Sequence, residues 1–138
     1  MDLLFRINDF FEDYATAIER FNAKSLAHCY ELPCSFLSDE HVTAFTDAAQ
    51  LEGFFSKGLS FYKMNGITIA RPEVWHKERL TSAIIKTKLH WHYYNETEKL
   101  LYSCTYYYLL RQNPENELKI VTAISVNEKE RMEQGLRR

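Results

Sequence analysis

The sequence predicts an α+β fold in which about three N-terminal helices pack on a strongly curved, mostly antiparallel sheet. In the first half of the chain, apolar residues recur every three to four positions, as on one face of a helix. From Ile67 onward they alternate with polar residues, as in strands with one buried face. Because the helices are grouped before a run of strands, the class is α+β.

The first two helices lie before Pro33. The first covers about residues 3–22, and its apolar stripe consists of Ile7, Phe10, Phe11, Tyr14, Ile18 and Phe21. Ser25 is a candidate N-cap for a short second helix that runs to Tyr30. Pro33 forbids continuation because proline lacks an N–H and restricts the residue before it.

A small hairpin and the third helix follow. The runs CSFL and HVTAF, separated by Ser-Asp-Glu, predict the hairpin. Asp47 and Gln50 resemble a capping box that opens the third helix. Gly66 suits the left-handed position just past its end.

The rest of the chain predicts an antiparallel meander of four strands. Pro72 lies in the first of them, which argues for an edge strand or a bulge. The other three cover about residues 80–95, 98–112 and 117–127. The charged residues 128–138 are expected to form a frayed tail, so the single domain is placed at residues 1–127.

Composition excludes several classes of partner. A net charge of −2 leaves no electrostatic footprint for nucleic acid or an anionic membrane. No apolar run is long enough to cross a bilayer, and the first residues lack the pattern of a signal peptide. Cys29, Cys34 and Cys104 are scattered and form no CxxC pair, which favours reduced thiols. We therefore expect a cytoplasmic protein without nucleic-acid or membrane partners.

Six of the nine tyrosines lie in two adjacent stretches, KTKLHWHYYN and EKLLYSCTYYYLLRQ. With a two-residue turn at residues 96 and 97, Trp91 lies opposite Tyr102. The face of Trp91 is predicted to carry no charge, whereas the opposite face carries Lys86, Lys88, His90 and His92. Because unpaired buried lysines are costly, the aromatic face is predicted to lie under the helices. The predicted lining is Tyr14, Trp91, Tyr102, Tyr106 and Tyr108.

Two interpretations of this aromatic face remain open from the residues alone. Tyrosines fit strands well and can fill a core with their hydroxyls satisfied locally. Alternatively, the same rings line a pocket that admits a small apolar or aromatic molecule.

The order of elements resembles the NTF2-like superfamily with its cystatin-like α+β fold, in particular its SnoaL-like and ketosteroid-isomerase-like members. The resemblance covers about residues 3–127 and is carried by FNAKSLAHCY, CSFLS, LEGFFSKGL, AIIKTKLHWH and YYYLLRQ…ELKIVTAIS. It implies a cone-shaped cavity between helices and sheet, and a homodimer formed through the outer face of the sheet. The mixed outer face, which also carries Ile84, Leu101, Tyr107 and Leu109, suits such an interface.

Ketosteroid-isomerase-like members use a first-helix tyrosine, an aspartate base and a second, protonated aspartate. Tyr14 takes the place of the tyrosine. The place of the base falls at about Ser38, with Asp39 one residue later, and the second aspartate's place falls within residues 105–107, which contain no carboxylate. Steroid-type isomerisation is therefore not predicted.

Two residues remain as catalytic candidates, Tyr14 and His76. His76 has Glu73 and Glu78 nearby and could form a His–carboxylate dyad of the kind that dehydratase-like members use. His90 and His92 share a strand face, but their predicted neighbours supply no third ligand, so no metal or cofactor is predicted.

The function predicted is small-molecule binding in a tyrosine-lined pocket, with lyase or isomerase chemistry as the reaction type if there is one. The alternative, from a different class, is a non-catalytic dimeric module that presents its surface to another protein.

Overall fold

The structure is a computed structural model that describes residues 3–136. The elements are a 3₁₀ turn Leu3–Arg6, α1 Ile7–Glu19, α2 Ala23–His28, β1 Tyr30–Leu37, β2 Val42–Phe45, α3 Ala48–Met64, β3 Ile69–Arg79, β4 Ile84–Tyr94, β5 Leu100–Gln112, β6 Leu118–Ser125 and α4 Glu128–Leu136. The α+β class is confirmed, with four α-helices in this part of the chain instead of about three.

The six strands form one sheet in the order β2-β1-β6-β5-β4-β3. Neighbouring strands are antiparallel except for β1 and β6, which are parallel. β3 is an edge strand, as Pro72 predicted. Register shifts interrupt four of the strand pairs, and such irregularities bend and twist a sheet.

The helix caps match the sequence signals in two of three places. The Asp47 carboxylate accepts a hydrogen bond from the Gln50 N–H at 3.0 Å and caps α3. Gly66 follows α3 with a φ of +79°, in the left-handed region. The predicted cap at Ser25 is wrong, because the Asn22 side chain caps α2 and accepts from the Ser25 N–H at 3.1 Å.

The predicted β4–β5 register is also wrong, although its faces are right. Trp91 lies opposite Cys104, two residues further along β5 than a two-residue turn requires. One residue of this offset comes from a three-residue connection, in which the Asn95 side chain accepts hydrogen bonds from the N–H groups of Thr97 and Lys99. The other comes from a register shift between Tyr93 and Tyr94. Because the total shift is two residues, the side chains paired from Ile84 to Tyr93 stay on their predicted faces.

The core lies between the helices and one face of the sheet. Burial alternates strictly along β4, where Leu89, Trp91 and Tyr93 are buried and the intervening residues are partly exposed. Lys86 and Lys88 lie on the outer face, as expected. Within residues 3–136, no helix combines the length and apolar character needed to cross a membrane.

Residues 128–136 of the expected frayed tail instead form the helix α4, which packs against β5, and residues 137–138 lie outside the described part of the chain. Asn127 precedes it and accepts a hydrogen bond from the Thr105 N–H at 2.9 Å. Gly135 allows close packing, since a Cβ there would lie 2.2 Å from the Leu101 carbonyl oxygen. Met132 and Leu136 are partly buried against the core. This helix therefore belongs to the folded unit.

Candidate ligand-binding site

A cavity of about 510 Å³ lies between the helices and the inner face of the sheet. Most of its lining is aromatic or aliphatic. The lining residues are Tyr14, Ile18, Leu26, Tyr30, Phe36, Phe54, Phe55, Lys57, Gly58, Leu59, Phe61, Tyr62, Trp91, Tyr93, Tyr106, Tyr108, Glu128 and Met132. A space of this size, apolar with a few polar groups, has the character of a small-molecule site.

Four of the five residues predicted to line a pocket lie on this cavity, namely Tyr14, Trp91, Tyr106 and Tyr108. Tyr102 is not among the lining residues. It is buried on the same face of β5, and its hydroxyl donates to a lining residue, Glu128, at 2.8 Å. Tyr102 therefore does not contact the cavity directly but helps to orient the Glu128 side chain that does.

The α1 side of the cavity carries phenol groups with spare protons. The hydroxyls of Tyr14 and Tyr30 lie 2.7 Å apart, and only one of their two protons is used between them. The Trp91 indole N–H donates to the Tyr108 hydroxyl at 2.9 Å, which leaves the Tyr108 proton free. Among residues 3–136, neither leftover proton has an acceptor. A bound molecule or water must accept them.

At the α4 end of the cavity, three phenols converge on one carboxylate. The two oxygens of Glu128 accept hydrogen bonds from Tyr62 of α3 at 2.5 Å, from Tyr102 at 2.8 Å and from Tyr106. Met132 lies one helical turn after Glu128 and also lines the cavity. The carboxylate is therefore fixed in position by donors from two other elements.

The phenols of both clusters are neutral donors at ordinary pH. Burial raises the pKa of Tyr14, Tyr30 and Tyr108 well above the usual tyrosine value. Burial, followed by the charge of Glu128, also raises the pKa of each tyrosine bonded to it, Tyr62, Tyr102 and Tyr106. None of these phenols can serve as a phenolate base near neutrality.

His76 does not reach the cavity. Its ring lies on the outer face of β3, more than half exposed, with Nε2 3.9 Å from a Glu78 carboxylate oxygen. Glu73 contacts His92 instead, at 3.0 Å. The histidine–carboxylate pairing is thus a surface contact, and His76 is not positioned to act on a cavity ligand.

The base position implied by the family resemblance does not line the cavity. Ser38 and Asp39 follow β1, where Ser38 is half-buried and Asp39 is exposed, and neither is a lining residue. The carboxylate of the site comes from Glu128 instead. It accepts a hydrogen bond from Tyr106, which is one of the residues 105–107 where the resemblance places the second aspartate.

The sequence prediction missed most of the lining, including the polar side chains of Tyr30, Tyr62, Tyr93 and Glu128. Tyr93 could have been found, because it shares the strand face of Trp91. Glu128 had a weaker signal: with Met132 and Leu136 it forms a series at spacing four, which places all three on one side of a helix. Tyr30 was assigned to the end of a helix, whereas it begins β1.

The outer face of the sheet carries a second, different cluster. The Trp75 and His90 rings stack at 3.4 Å, and the Lys88 ammonium lies 5.4 Å from the Trp75 ring centre. His90 bonds the Thr105 hydroxyl at 2.8 Å. Over the described part of the chain, no three His, Cys, Asp or Glu side chains are grouped as metal ligands would be.

Helices packed on one face of a curved sheet, around an aromatic cavity, define an NTF2-like protein. The chain belongs to the family described as NTF2-like protein DUF6841, which matches residues 5–128. No curated protein matches the chain in sequence.

Several solved structures share the fold. ActVI-ORFA from Streptomyces coelicolor has a TM-score of 0.71 at 12% identity, over 92% of this chain and 98% of that one. A cystatin-like domain of unknown function from Nostoc punctiforme has a TM-score of 0.70 at 13% identity, over 87% and 74%. A ketosteroid isomerase-like protein from Erwinia carotovora atroseptica has a TM-score of 0.64 at 13% identity, over 87% and 92%. At such identities the likeness shows the fold alone.

Proposed function

We propose that this protein binds a small apolar or aromatic molecule in the cavity between its helices and its sheet. The observation that carries the proposal is the combination of about 510 Å³ of space with two phenol protons that have no acceptor among residues 3–136. A filled core would have neither feature, because buried donors in a packed interior find partners.

The lining indicates how such a molecule would be held. Its apolar body would lie against rings such as Trp91 and Tyr93, which stack with centres 6.0 Å apart. An oxygen acceptor on the molecule would meet the spare protons of the Tyr14–Tyr30 pair and of Tyr108. Neutral phenols in a dry site also stabilise negative charge that develops on such an oxygen. For a reaction of lyase or isomerase type, these phenols and Glu128 are the groups that the chain supplies.

The test uses two glycines of α3 as a matched pair. Gly58 lines the cavity and Gly53 does not, and both have open space where a Cβ would be added. A Gly58→Trp substitution adds bulk at the cavity, whereas Gly53→Trp adds the same bulk elsewhere on the helix. The assay is a thermal-shift screen with a panel of neutral aromatic compounds.

The expected result is a set of compounds that stabilise the wild type and the Gly53→Trp variant but not the Gly58→Trp variant. A ligand at a hundredfold excess over its Kd adds about 2.7 kcal/mol to the stability of the folded state. Equal shifts in all three proteins would place binding outside the cavity, and no shift with any compound would count against binding itself.

A second candidate function is a dimeric module that presents its surface to another protein, and the observation that favours it is the outer sheet face. Trp75 is 52% exposed there, beside Lys88 and the partly exposed Tyr107. Rings surrounded by charges suit an isologous interface. The two functions are compatible, because the cavity and this face lie on opposite sides of the sheet. A cytoplasmic location is part of the proposal and is supported by three free cysteines.

A further inference from the structure

We infer that the ligand of the cavity carries a protonated amine, which binds the carboxylate of Glu128 at the α4 end. The inference rests on the proposed binding function and specifies the class of ligand. It concerns the α4 end of the cavity, where the sequence analysis predicted no charged group.

The charge of Glu128 has no counter-ion among residues 3–136. All three of its hydrogen bonds come from neutral phenols, and both oxygens accept, as suits the ionised carboxylate. No lysine, arginine or histidine nitrogen of the described chain lies within 4.0 Å of it. The phenols orient the carboxylate without neutralising it.

This uncompensated charge selects between ligands. A neutral molecule that reached the α4 end would displace water from the carboxylate and return no charge to it, so it binds there less tightly than a cation of the same shape. A carboxylate offers about four lone-pair positions, of which three are used here, so one N–H donor can still be accommodated. An ammonium N–H supplies both the missing charge and the missing hydrogen bond.

The surrounding rings favour the same choice. Tyr62 and Tyr93 lie with ring centres 5.2 Å apart, and Tyr106 stacks on Tyr108 at 5.5 Å, next to the carboxylate. The faces of such rings attract cations, and desolvation strengthens the effect. Lys57 opposes the binding of a cation, because its ammonium group is also part of the cavity lining and repels positive charge. It lies on the exposed side of α3.

The experiment compares two probes of the same shape. One is 1-(dimethylaminomethyl)naphthalene, which is protonated at neutral pH, and the other is 1-isobutylnaphthalene, its neutral carbon isostere. Titration calorimetry at neutral pH measures both affinities with the wild type and with the variants Glu128→Gln, Glu130→Gln and Lys57→Met. Glu130 is an exposed carboxylate of the same helix and serves as the matched control.

The expected result is that the wild type prefers the amine at least about tenfold, the effect of one charge-assisted hydrogen bond in a desolvated site. Glu128→Gln reduces this preference severalfold, Glu130→Gln leaves it unchanged, and Lys57→Met increases it. Thermal melting of each variant checks folding. If Glu128→Gln fails to fold, the increased preference of Lys57→Met for the amine still tests the inference.

Three outcomes overturn the inference. Equal or tighter binding of the isostere by the wild type would do so while leaving the proposed binding function intact. A preference for the amine that survives Glu128→Gln would assign it to another group. Binding of neither probe would count against the proposed function and, with it, this inference.

Discussion

The Tyr106 hydroxyl on β5 donates a hydrogen bond to the carboxylate of Glu128 at the start of α4. Tyr62 of α3 and Tyr102 of β5 donate to the same carboxylate, so three elements meet at one side chain. Glu128 and Met132 then complete the lining of the cavity. The last helix is therefore held to the fold by a polar cluster at the cavity itself.

Replacement of Glu128 by alanine is expected to destabilise the protein. The change removes the acceptor of three phenols, two of which are bonded to it from β5. Hydrogen bonds to a charged group are worth more than neutral ones, and partial access of water offsets some of the loss, so we expect about 2 kcal/mol. Urea unfolding of Glu128→Ala and of the exposed control Glu130→Ala measures the difference. Equal stability of the two variants would contradict the structural role of the cluster.

Replacement of Thr87 by valine is expected to stabilise the protein by about 1 kcal/mol, because a buried hydroxyl without a partner costs free energy. Thr87 is fully buried, and its Oγ1 has no hydrogen-bond partner among residues 3–136. Thr105 provides the control, since its hydroxyl does bond His90 at 2.8 Å. Thermal unfolding of Thr87→Val and Thr105→Val should move in opposite directions. A loss of stability in Thr87→Val would show that its hydroxyl is satisfied.

Stability is expected to fall as the pH rises above about 10, where tyrosines of the unfolded chain ionise. Burial raises the pKa of Tyr14, Tyr30 and Tyr108 above that value in the folded state. The folded state then holds more protons than the unfolded state, so the free energy of unfolding decreases with pH in this range and is unaffected by these groups below it. Thermal unfolding across this range, together with phenolate absorbance, measures both effects. Ionisation of all nine tyrosines near pH 10 while the protein stays folded would contradict the burial.

The outer sheet face is expected to form a homodimer that a single charge disrupts. Trp75→Arg removes an exposed ring from the outer face of the edge strand β3 and adds a cation beside Lys88, and in an isologous interface both copies would carry this added charge. Phe5 is a matched control, since it is an exposed aromatic residue outside the sheet. Sedimentation velocity should show dimers for the wild type and for Phe5→Arg, and monomers for Trp75→Arg. A monomeric wild type at micromolar concentration would exclude the interface.

The strand faces could be predicted from the sequence because charge and ring content differ so strongly between them. Lys86 and Lys88 on one side and Trp91 on the other fix which face is buried, even though the predicted register was two residues out. The register itself depends on how the Asn95 side chain folds the connection to β5 and on the register shift between Tyr93 and Tyr94, neither of which strand alternation encodes.

The cavity could be predicted only in part. Tyr14, Trp91, Tyr106 and Tyr108 were found from periodicity, whereas Glu128 was not, because a charged segment with few apolar residues resembles a solvated tail. Whether aromatic side chains fill a space or surround it depends on their three-dimensional packing. No one-dimensional pattern carries that information.

The most direct test of ligand binding in the cavity is a crystal structure of the protein soaked with 2-naphthol. We expect density for the naphthol rings between α1 and the sheet, beside Trp91, with the naphthol oxygen within hydrogen-bond distance of the Tyr14–Tyr30 pair or of Tyr108. A cavity closed by its own side chains, with the phenol protons bonded to protein acceptors, would contradict it.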